Sequence, residues 1–248
     1  MSSNKKILLY CKKISWPKKP KFIFTSNAFG SKGIFQFWLA NKVNEGFDYF
    51  VGQHGLGYLE LNEKKYNIEY KTSDKFFSWG NFNFDKKIIP LFNLKIVGKK
   101  QIKNQGDKLI IVTRSSGNRT VPYDRFAYGN LLNKKTLFLL DNLDEQIKKK
   151  TILRLHDNYT EGLYEELDNF LKKNTVVTIN QNTNYFKLIK QGKLVLFNDI
   201  SSGFLHNITI NVPSICYLPI GLNFIHDENK ADYSKLINHK LMFDDMSK

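Results

Sequence analysis

A turn rich in small polar residues follows the apolar run 194–197, which we interpret as a buried strand. This serine turn contains Asp199, Ser201, Ser202 and Gly203, and an apolar helical face begins directly after it. Hydroxyl groups beside the free N–H groups of a helix N-terminus can bind a phosphate. Asp and Ser are also ordinary helix N-caps, so this turn alone supports a phosphate site and a simple cap about equally.

Arg154 and His156 lie at the end of another predicted strand, where they could bind an anion. They are two positions apart, so strand alternation places both on the same side of the sheet. A polar loop earlier in the chain, with Arg114, Ser115 and Ser116, offers similar groups. Arginine binds phosphate in a bidentate geometry that lysine cannot copy. The loop is equally consistent with a mobile surface turn.

His54 lies in a glycine-rich turn, between Gln53 and Gly55, directly after the predicted strand 47–51. Glycine allows close backbone approach, and an imidazole can act as a general base or donate a hydrogen bond to a phosphate. The alternative is an ordinary turn whose histidine contacts only water. The position directly after a strand favours a functional role for His54, because ligands bind at strand ends in parallel sheets.

The elements that position these residues are predicted to be βαβ units of parallel strands. One unit covers residues 193–219, where Pro213 ends the helix between two strands. Another unit covers residues 21–51. All the polar groups described above follow predicted strands, at the carboxyl edge where open sheets bind ligands. The sequence therefore predicts an α/β fold with Rossmann-like parallel sheets flanked by helices.

The remaining chain is interpreted as further strands and helices around a less regular segment. Further strands are predicted over 74–79, 109–113, 151–156 and 176–179, and further helices over 142–150, 164–172, 185–191 and 231–239. Residues 1–20 and 241–248 show little sign of regular structure. Residues 81–106 are interpreted as a linker because they include proline and glycine with many lysines and asparagines. We therefore predict two domains, 1–95 and 96–248.

The composition is that of a basic globular protein. The chain has 248 residues, of which 42% are hydrophobic, and it carries a formal net charge of +15. Lysine is spread evenly along the sequence, whereas single-stranded nucleic acid is bound by a basic groove with interleaved aromatic residues. We therefore do not expect nucleic acid as a partner.

Cysteine content and hydropathy bear on the compartment and on cofactors. Cys11 and Cys216 are too few for a disulfide scaffold or a thiolate zinc site. No apolar run approaches the roughly 20 residues of a membrane helix, so we expect a cytoplasmic protein, with a peripheral position at the inner membrane face left open. The motifs GxGxxG, HExxH and CxxC are absent, and we expect no metal and no cofactor.

The order of several motifs resembles transferases encoded in O-antigen and other surface-polysaccharide loci. The motifs are, in order, TSNAF, GQHGLGY, SDKFFSWG, LRLH and LFNDISSGFLHNITINVPSI. The later ones are also similar to the wider GT-B superfamily, which includes the CDP-glycerol glycerophosphotransferases and the capsule Kdo and polysialic acid transferases. The resemblance spans about residues 20–220.

This resemblance implies roles for the polar groups. In the superfamily a His-Gly motif closes the first Rossmann-like domain, and His54 and Gly55 match it. A basic residue at a strand end, followed one residue later by His-Pro, builds part of the donor site. Arg154 and His156 match this motif, with Asp157 in place of proline.

A later Asp-Tyr-Ser-Ser motif completes the donor site of the superfamily, and the serine turn matches it with Ile200 in place of tyrosine. The resemblance implies that His54 is catalytic and that the serine turn, Arg154 and His156 bind the donor phosphate and nucleotide. Gln53, Gly55 and the loop over 114–116 would add contacts.

Family members are much longer than this chain, so the resemblance implies that the chain corresponds to the C-terminal part of one. Residues 1–95 would be the remnant of a truncated acceptor-side α/β domain with the GQHG motif. Residues 96–248 would be the donor-binding domain of a GT-B-like fold. A separate chain could supply the missing part.

Two functions follow from these observations. The first is a metal-independent transferase that moves a sugar or sugar-phosphate group from a nucleotide-activated donor to a glycan or lipid-linked acceptor of a bacterial surface polysaccharide. It requires His54 to face Arg154 and the serine turn across a single groove. The alternative is a truncated, non-catalytic α/β module that binds a nucleotide or a partner chain.

Overall fold

The structure of the chain is a computed structural model that describes residues 3–55, 58–60, 62, 67–80, 82, 85–93, 95–99, 101, 106–113, 129–156, 159, 165–174, 176–179, 183–218 and 221–244. The chain divides into two compact units, Met1–Val97 and Gly98–Lys248. Each unit contains a parallel β-sheet flanked by helices. The predicted α/β class with Rossmann-like parallel sheets is confirmed.

The first unit contains a four-stranded sheet. Its elements are α1 (Ser3–Lys13), β1 (Ile23–Thr25), α2 (Ala28–Ser31), α3 (Gly33–Asn44), β2 (Tyr49–Gly52), α4 (Ile68–Thr72), β3 (Lys75–Ser78) and β4 (Ile88–Pro90). The strands are parallel and lie in the order β1-β2-β3-β4. The βαβ unit predicted over residues 21–51 is confirmed, since β1, α3 and β2 form it.

The core of the first unit lies on one face of this sheet. Tyr49, Val51 and Phe76 are at most 1% exposed, and they pack with Trp38 and Leu39 of α3. Burial of such large apolar side chains is the main favourable contribution to folding, roughly 1.5–3 kcal/mol for each.

The opposite face of the first sheet carries a cluster of phenylalanine rings. The ring centroid of Phe77 lies 6.0 Å from that of Phe24 and 6.1 Å from that of Phe50. Phe24 is 44% exposed, and Phe22, just before β1, is 54% exposed. Parallel sheets are usually covered on both faces, so this partly exposed aromatic face is unusual.

The second unit contains a six-stranded parallel sheet. Its elements are β5 (Lys108–Val112), α5 (Gly129–Asn142), α6 (Glu145–Lys148), β6 (Thr151–Arg154), α7 (Glu165–Lys173), β7 (Val177–Ile179), α8 (Tyr185–Ile189), β8 (Gly192–Phe197), α9 (Ser202–Thr209), β9 (Ser214–Tyr217), a 3-10 helix (Gly221–Phe224), α10 (Asp227–Asn238) and β10 (Met242–Phe243). The strand order is β10-β9-β8-β5-β6-β7. The chain builds outward from β5 to β7 and then from β8 to β10, which is the Rossmann order. The βαβ unit predicted over 193–219 is confirmed.

The middle strand of the second sheet is buried on both faces. Ile110 and Ile111 are consecutive in β5 and therefore point to opposite faces, yet both are fully buried. Leu153 of β6 and Val195 of β8, on either side of β5, are fully buried as well. Continuous apolar runs of this kind are typical of parallel strands that are covered by helices on both faces.

Three predictions of irregular structure are wrong. Ile88–Pro90, inside the predicted linker 81–106, forms β4, and Met242–Phe243 of the tail forms β10. These strands are too short for a visible periodicity, and they are stabilised by pairing with β3 and β9. The leading segment contains α1, whose many lysines obscure its apolar side. Residues 245–248 lie outside the described residues.

The helix predicted over 142–150 is confirmed only over Glu145–Lys148. The structure has α5, which ends at Asn142, and then the short α6. Leu132 and Leu140 of α5 are buried, whereas Leu131 and Phe138 are 36% and 55% exposed. Apolar residues on several sides of α5 hide the helical period on which the sequence-based prediction depends.

The lengths of the helices bear on whether the chain could span a membrane. In the described part of the chain, no helix is both long and apolar enough to cross a membrane. The helix α5, for example, has 14 residues, whereas a span needs about 20.

A glycine before β5 provides a test of the packing in the second unit. A Cβ at Gly106 would lie 1.8 Å from the backbone oxygen of Gln191. That oxygen accepts the N–H of Lys108 at 3.1 Å where β5 meets β8. We expect Gly106→Ala to lower the free energy of unfolding by about 1–3 kcal/mol, measured by chemical denaturation.

The control for this variant is Gly33→Ala at the start of α3. A Cβ at Gly33 would have no described atom within 4 Å, and its backbone does not adopt a positive φ. Alanine there should leave stability unchanged or raise it by up to about 1 kcal/mol. Equal stability of the two variants would contradict the close approach of Gly106 to β8.

Candidate functional site

Four strands of the second sheet end in one row. The strand register aligns Val112 of β5 with Arg154 of β6 on one side and with Phe197 of β8 on the other, and it aligns Phe197 with Cys216 of β9. The loops after these strands therefore leave the same edge. The strand order reverses between β5 and β8, and open α/β sheets bind ligands at such a switch point. Arg154 and the serine turn share this edge.

Ser201 occupies the N-cap position of α9 without capping the helix through its side chain. Its backbone is extended, and its carbonyl accepts the N–H of Phe204 at 3.1 Å. Its hydroxyl makes no capping hydrogen bond with the described residues of the helix, although an N-cap serine usually makes one. Ser201 and Ser202 are both half-buried. The ordinary-cap alternative therefore does not account for Ser201.

Gly203 allows α9 to begin close to the end of β8. A Cβ at this position would lie 3.0 Å from a ring carbon of Phe197 and 3.5 Å from the Ser201 hydroxyl oxygen. The first distance is shorter than an ordinary van der Waals contact. Gly203 is therefore placed where it holds the helix N-terminus against the strand, which is a packing role within the predicted donor site.

The two residues directly after β8 are buried and hold the turn in place. The backbone N–H of Asn198 donates to the Val112 carbonyl at 3.2 Å, and its side-chain amide donates to Thr136 Oγ1 at 3.0 Å. Asp199 is 5% exposed. Burial, with a smaller effect of Asp199, raises the pKa of the Cys216 thiol. Such burial favours a structural role for Asp199 over direct contact with a donor.

Arg154 rests on an aromatic ring that is itself fixed. Its guanidinium carbon lies 5.2 Å from the ring centroid of Tyr185. The Tyr185 hydroxyl donates to Asn207 Oδ1 at 2.7 Å, and Asn207 Nδ2 donates to Ser214 Oγ at 2.9 Å. Asn207 is fully buried in α9. Burial raises the pKa of Tyr185, and this effect is larger than the opposite effect of Asn207 and Arg154. The phenol is therefore a stable neutral platform for the guanidinium.

The remaining predicted donor contacts are His156 and the loop over 114–116. His156 is exposed, two residues beyond the end of β6, and its carbonyl accepts the N–H of Tyr159 at 2.9 Å. Arg114, Ser115 and Ser116 lie outside the described residues.

Gln53 fixes the turn that carries His54 in the first unit. It is 4% exposed, and its Nε2 donates to Glu60 Oε1 at 2.8 Å and to the Gly55 carbonyl at 3.0 Å. Its Oε1 accepts the backbone N–H of Trp79, at the end of β3, at 2.8 Å. The side-chain amide is thus occupied by the protein itself, so Gln53 positions the turn.

His54 is exposed at this turn, and one of its ring nitrogens contacts a buried tyrosine. The Tyr58 hydroxyl oxygen lies 2.5 Å from His54 Nδ1 and 3.5 Å from Nε2. The same hydroxyl donates to Glu69 Oε2. Tyr58 is 7% exposed, and burial, together with its hydrogen bond to Glu69, raises its pKa well above the ordinary value.

The helix that carries Glu69 is held at both ends. At its start, Asn67 Oδ1 accepts the backbone N–H of Tyr70 at 2.9 Å. At its end, the Lys87 ammonium donates to the carbonyl of Tyr70 and, at 3.3 Å, to that of Ser73. Burial lowers the pKa of Lys87. These contacts fix α4 and therefore the place of the carboxylate that Tyr58 contacts.

A separate cavity of about 390 Å³ lies in the first unit between α1 and α3. Its lining is partly aromatic, with Trp16 and Trp38, and contains none of the predicted site residues. Among the described residues, no three of His, Cys, Asp and Glu are grouped closely enough to hold a metal ion.

Comparison with known protein families shows the family to which the chain belongs. Residues 9–248 match the family described as LIC12162 family transferase. The chain belongs to this transferase family. No curated protein matches the chain. Membership supports an enzymatic role and the transferase part of the predicted function.

Sequence reasoning missed the residues that support the site in this family member. Tyr58 stands four positions after His54 in the GQHGLGY motif, so the sequence indicates that the two residues lie close together. No sequence pattern indicates that Glu69 is the hydrogen-bond partner of Tyr58. Tyr185 contacts Arg154, and Asn207 contacts Tyr185, only because the fold brings these residues together. The expected single groove shared by His54, Arg154 and the serine turn stays a prediction.

Gln53 gives a direct test of how the His54 turn is held. Gln53→Glu replaces a donor by a carboxylate beside the buried carboxylate of Glu60. We expect the variant to lose about 1–3 kcal/mol of unfolding free energy at neutral pH, measured by chemical denaturation. The loss should shrink at acidic pH, because protonation of one carboxylate removes the repulsion.

Gln101→Glu is the matched control, since it introduces the same charge at an exposed position. It should change stability by no more than about 0.5 kcal/mol. If both glutamate variants were as stable as the parent chain, the contacts assigned to Gln53 would be wrong.

Proposed function

We propose that the chain is a glycosyl or sugar-phosphate transferase of the GT-B type. In this proposal it uses a nucleotide-activated donor and a glycan or lipid-linked acceptor of a bacterial surface polysaccharide. The observation that carries the proposal is the position of Arg154 and the serine turn at the switch-point edge of a Rossmann-ordered sheet. Membership in a transferase family supports the reaction class.

The donor phosphates are assigned to the second unit. The stacked guanidinium of Arg154 is held in one place by Tyr185, so little side-chain freedom is lost when a phosphate binds. The N-terminus of α9 adds a partial positive charge at this edge. Ser201 and Ser202 add hydroxyl donors at the same point.

The first unit is proposed to supply the base. His54 takes the proton from an acceptor hydroxyl as its oxygen forms a bond to the sugar carbon of the donor, or to phosphorus in sugar-phosphate transfer. The bond between that atom and the leaving phosphate oxygen breaks, and the nucleotide departs with the electron pair. Arg154 and the helix N-terminus offset the charge of the departing phosphate, a role that needs no metal in this proposal.

His54→Ala tests the proposed division of roles. We expect transfer to fall by about 100-fold or more, since general base catalysis typically contributes that much. Nucleotide binding, measured by calorimetry with CDP and UDP, should stay within about 2-fold of the parent, because the donor contacts lie in the other unit. Donor turnover over a panel of glycan and lipid-linked acceptors is the activity assay.

His239→Ala is the matched control, since His239 is an exposed histidine at the end of α10. Its turnover should equal that of the parent chain. Unchanged turnover in His54→Ala would remove His54 from the mechanism. Nucleotide binding without turnover under any acceptor would instead favour the non-catalytic module.

A further inference from the structure

The hydrogen bonds around His54 determine which of its nitrogens carries a proton. A phenol has one proton to donate, whereas a carboxylate can only accept. Since the Tyr58 hydroxyl donates to Glu69 Oε2, its oxygen can only accept from His54. The nearer imidazole nitrogen, Nδ1 at 2.5 Å, must therefore be the donor. A neutral imidazole has one donor and one acceptor nitrogen, so Nε2 then holds a lone pair.

We propose that Tyr58 and Glu69 are positioning residues, which hold His54 in the tautomer protonated on Nδ1 and so keep Nε2 as the proton acceptor. This proposal rests on the proposed function only for its catalytic consequence. The tautomer itself follows from the contacts and can be measured without any substrate.

The surroundings of the three groups suit this role. Tyr58 is buried and its ring packs against Phe76 in the core, with centroids 5.4 Å apart. Glu69 is half-buried on α4, while His54 is exposed. The two supporting groups are therefore fixed by the core of the first unit, and the imidazole reaches solvent, where an acceptor hydroxyl could approach it.

The chain of contacts also explains how the protonated state would be stabilised. When Nε2 takes a proton from the acceptor hydroxyl, the O–H bond breaks, an N–H bond forms and the ring becomes positively charged. Its Nδ1–H continues to donate to Tyr58, which continues to donate to the Glu69 carboxylate. No proton needs to leave Tyr58, whose raised pKa keeps the phenol neutral. The negative charge of Glu69 thus stabilises the positive charge of the imidazolium, with the Tyr58 hydroxyl between the two groups.

The direct test is NMR of the ring nitrogens in the full chain with isotopically labelled histidine. The His54 signals are assigned by their loss in His54→Ala. In the neutral ring of the parent chain, Nδ1 should carry the proton and Nε2 should show the shift of an unprotonated nitrogen. A His54 ring protonated on Nε2 in the parent chain would overturn the proposal.

Two variants should change the tautomer of His54, each by removing a different contact. Tyr58→Phe removes the acceptor for Nδ1–H, and Glu69→Leu frees the Tyr58 proton to point at Nδ1. Both should shift His54 towards the tautomer protonated on Nε2, which free histidine prefers in water. Tyr233→Phe is the control, because Tyr233 is 7% exposed like Tyr58 but lies in α10 of the other unit. It should leave the His54 shifts unchanged.

Kinetics then connect the tautomer to the reaction. Tyr58→Phe should lower kcat by about 10- to 100-fold with KM nearly unchanged, since ground-state binding does not use the phenol. The proposal fails if both variants keep the parent His54 shifts. If the tautomer is as proposed and no acceptor gives turnover, the transferase function fails while the positioning role stands.

Discussion

The pairing of β5 with β6 on one side and with β8 on the other is the constraint on which the candidate donor site depends. Parallel pairing in register forces Val112, Arg154 and Phe197 into one row. A shift by one residue would turn Arg154 to the other face of the sheet and would expose apolar residues that are now fully buried. The burial of Ile110 and Ile111 on opposite faces therefore fixes the register of β5 with its neighbouring strands. That register in turn determines where Arg154 lies at the carboxyl edge.

Each unit positions one candidate site residue through a set of hydrogen-bonded polar side chains. In the first unit, Gln53 and Tyr58 hold the turn of His54. In the second unit, Tyr185 and Asn207 hold the guanidinium of Arg154. Buried polar groups are costly unless they are hydrogen-bonded, so each network is stable only in a narrow range of geometries. The exposed His54 and the half-buried Arg154 are thereby held in defined positions at the carboxyl ends of strands.

Much of this organisation could be predicted from the sequence because it depends on local patterns. Apolar runs that end in polar turns correctly indicated β2, β6 and β8, and Pro213 correctly marked the end of the helix that joins β8 to β9. The short strands β4 and β10 could not be predicted, because two or three residues carry no periodicity and pair only through the fold. The supporting residues Glu69 and Tyr185 were missed for a related reason, since their partners are distant in sequence.

We propose that the carboxyl edge of the second sheet binds donor phosphates through Arg154. The most direct measurement is calorimetry of CDP and UDP against cytidine and uridine, with the parent chain, Arg154→Met and the control Lys149→Met. Lys149 is an exposed lysine before β6, at the opposite end of the strand. We expect one diphosphate to bind about 10- to 100-fold more tightly than its nucleoside, as a charge-assisted contact would give, and we expect Arg154→Met, unlike Lys149→Met, to reduce this difference. Equal affinity of Arg154→Met and the parent chain for the diphosphates would contradict it.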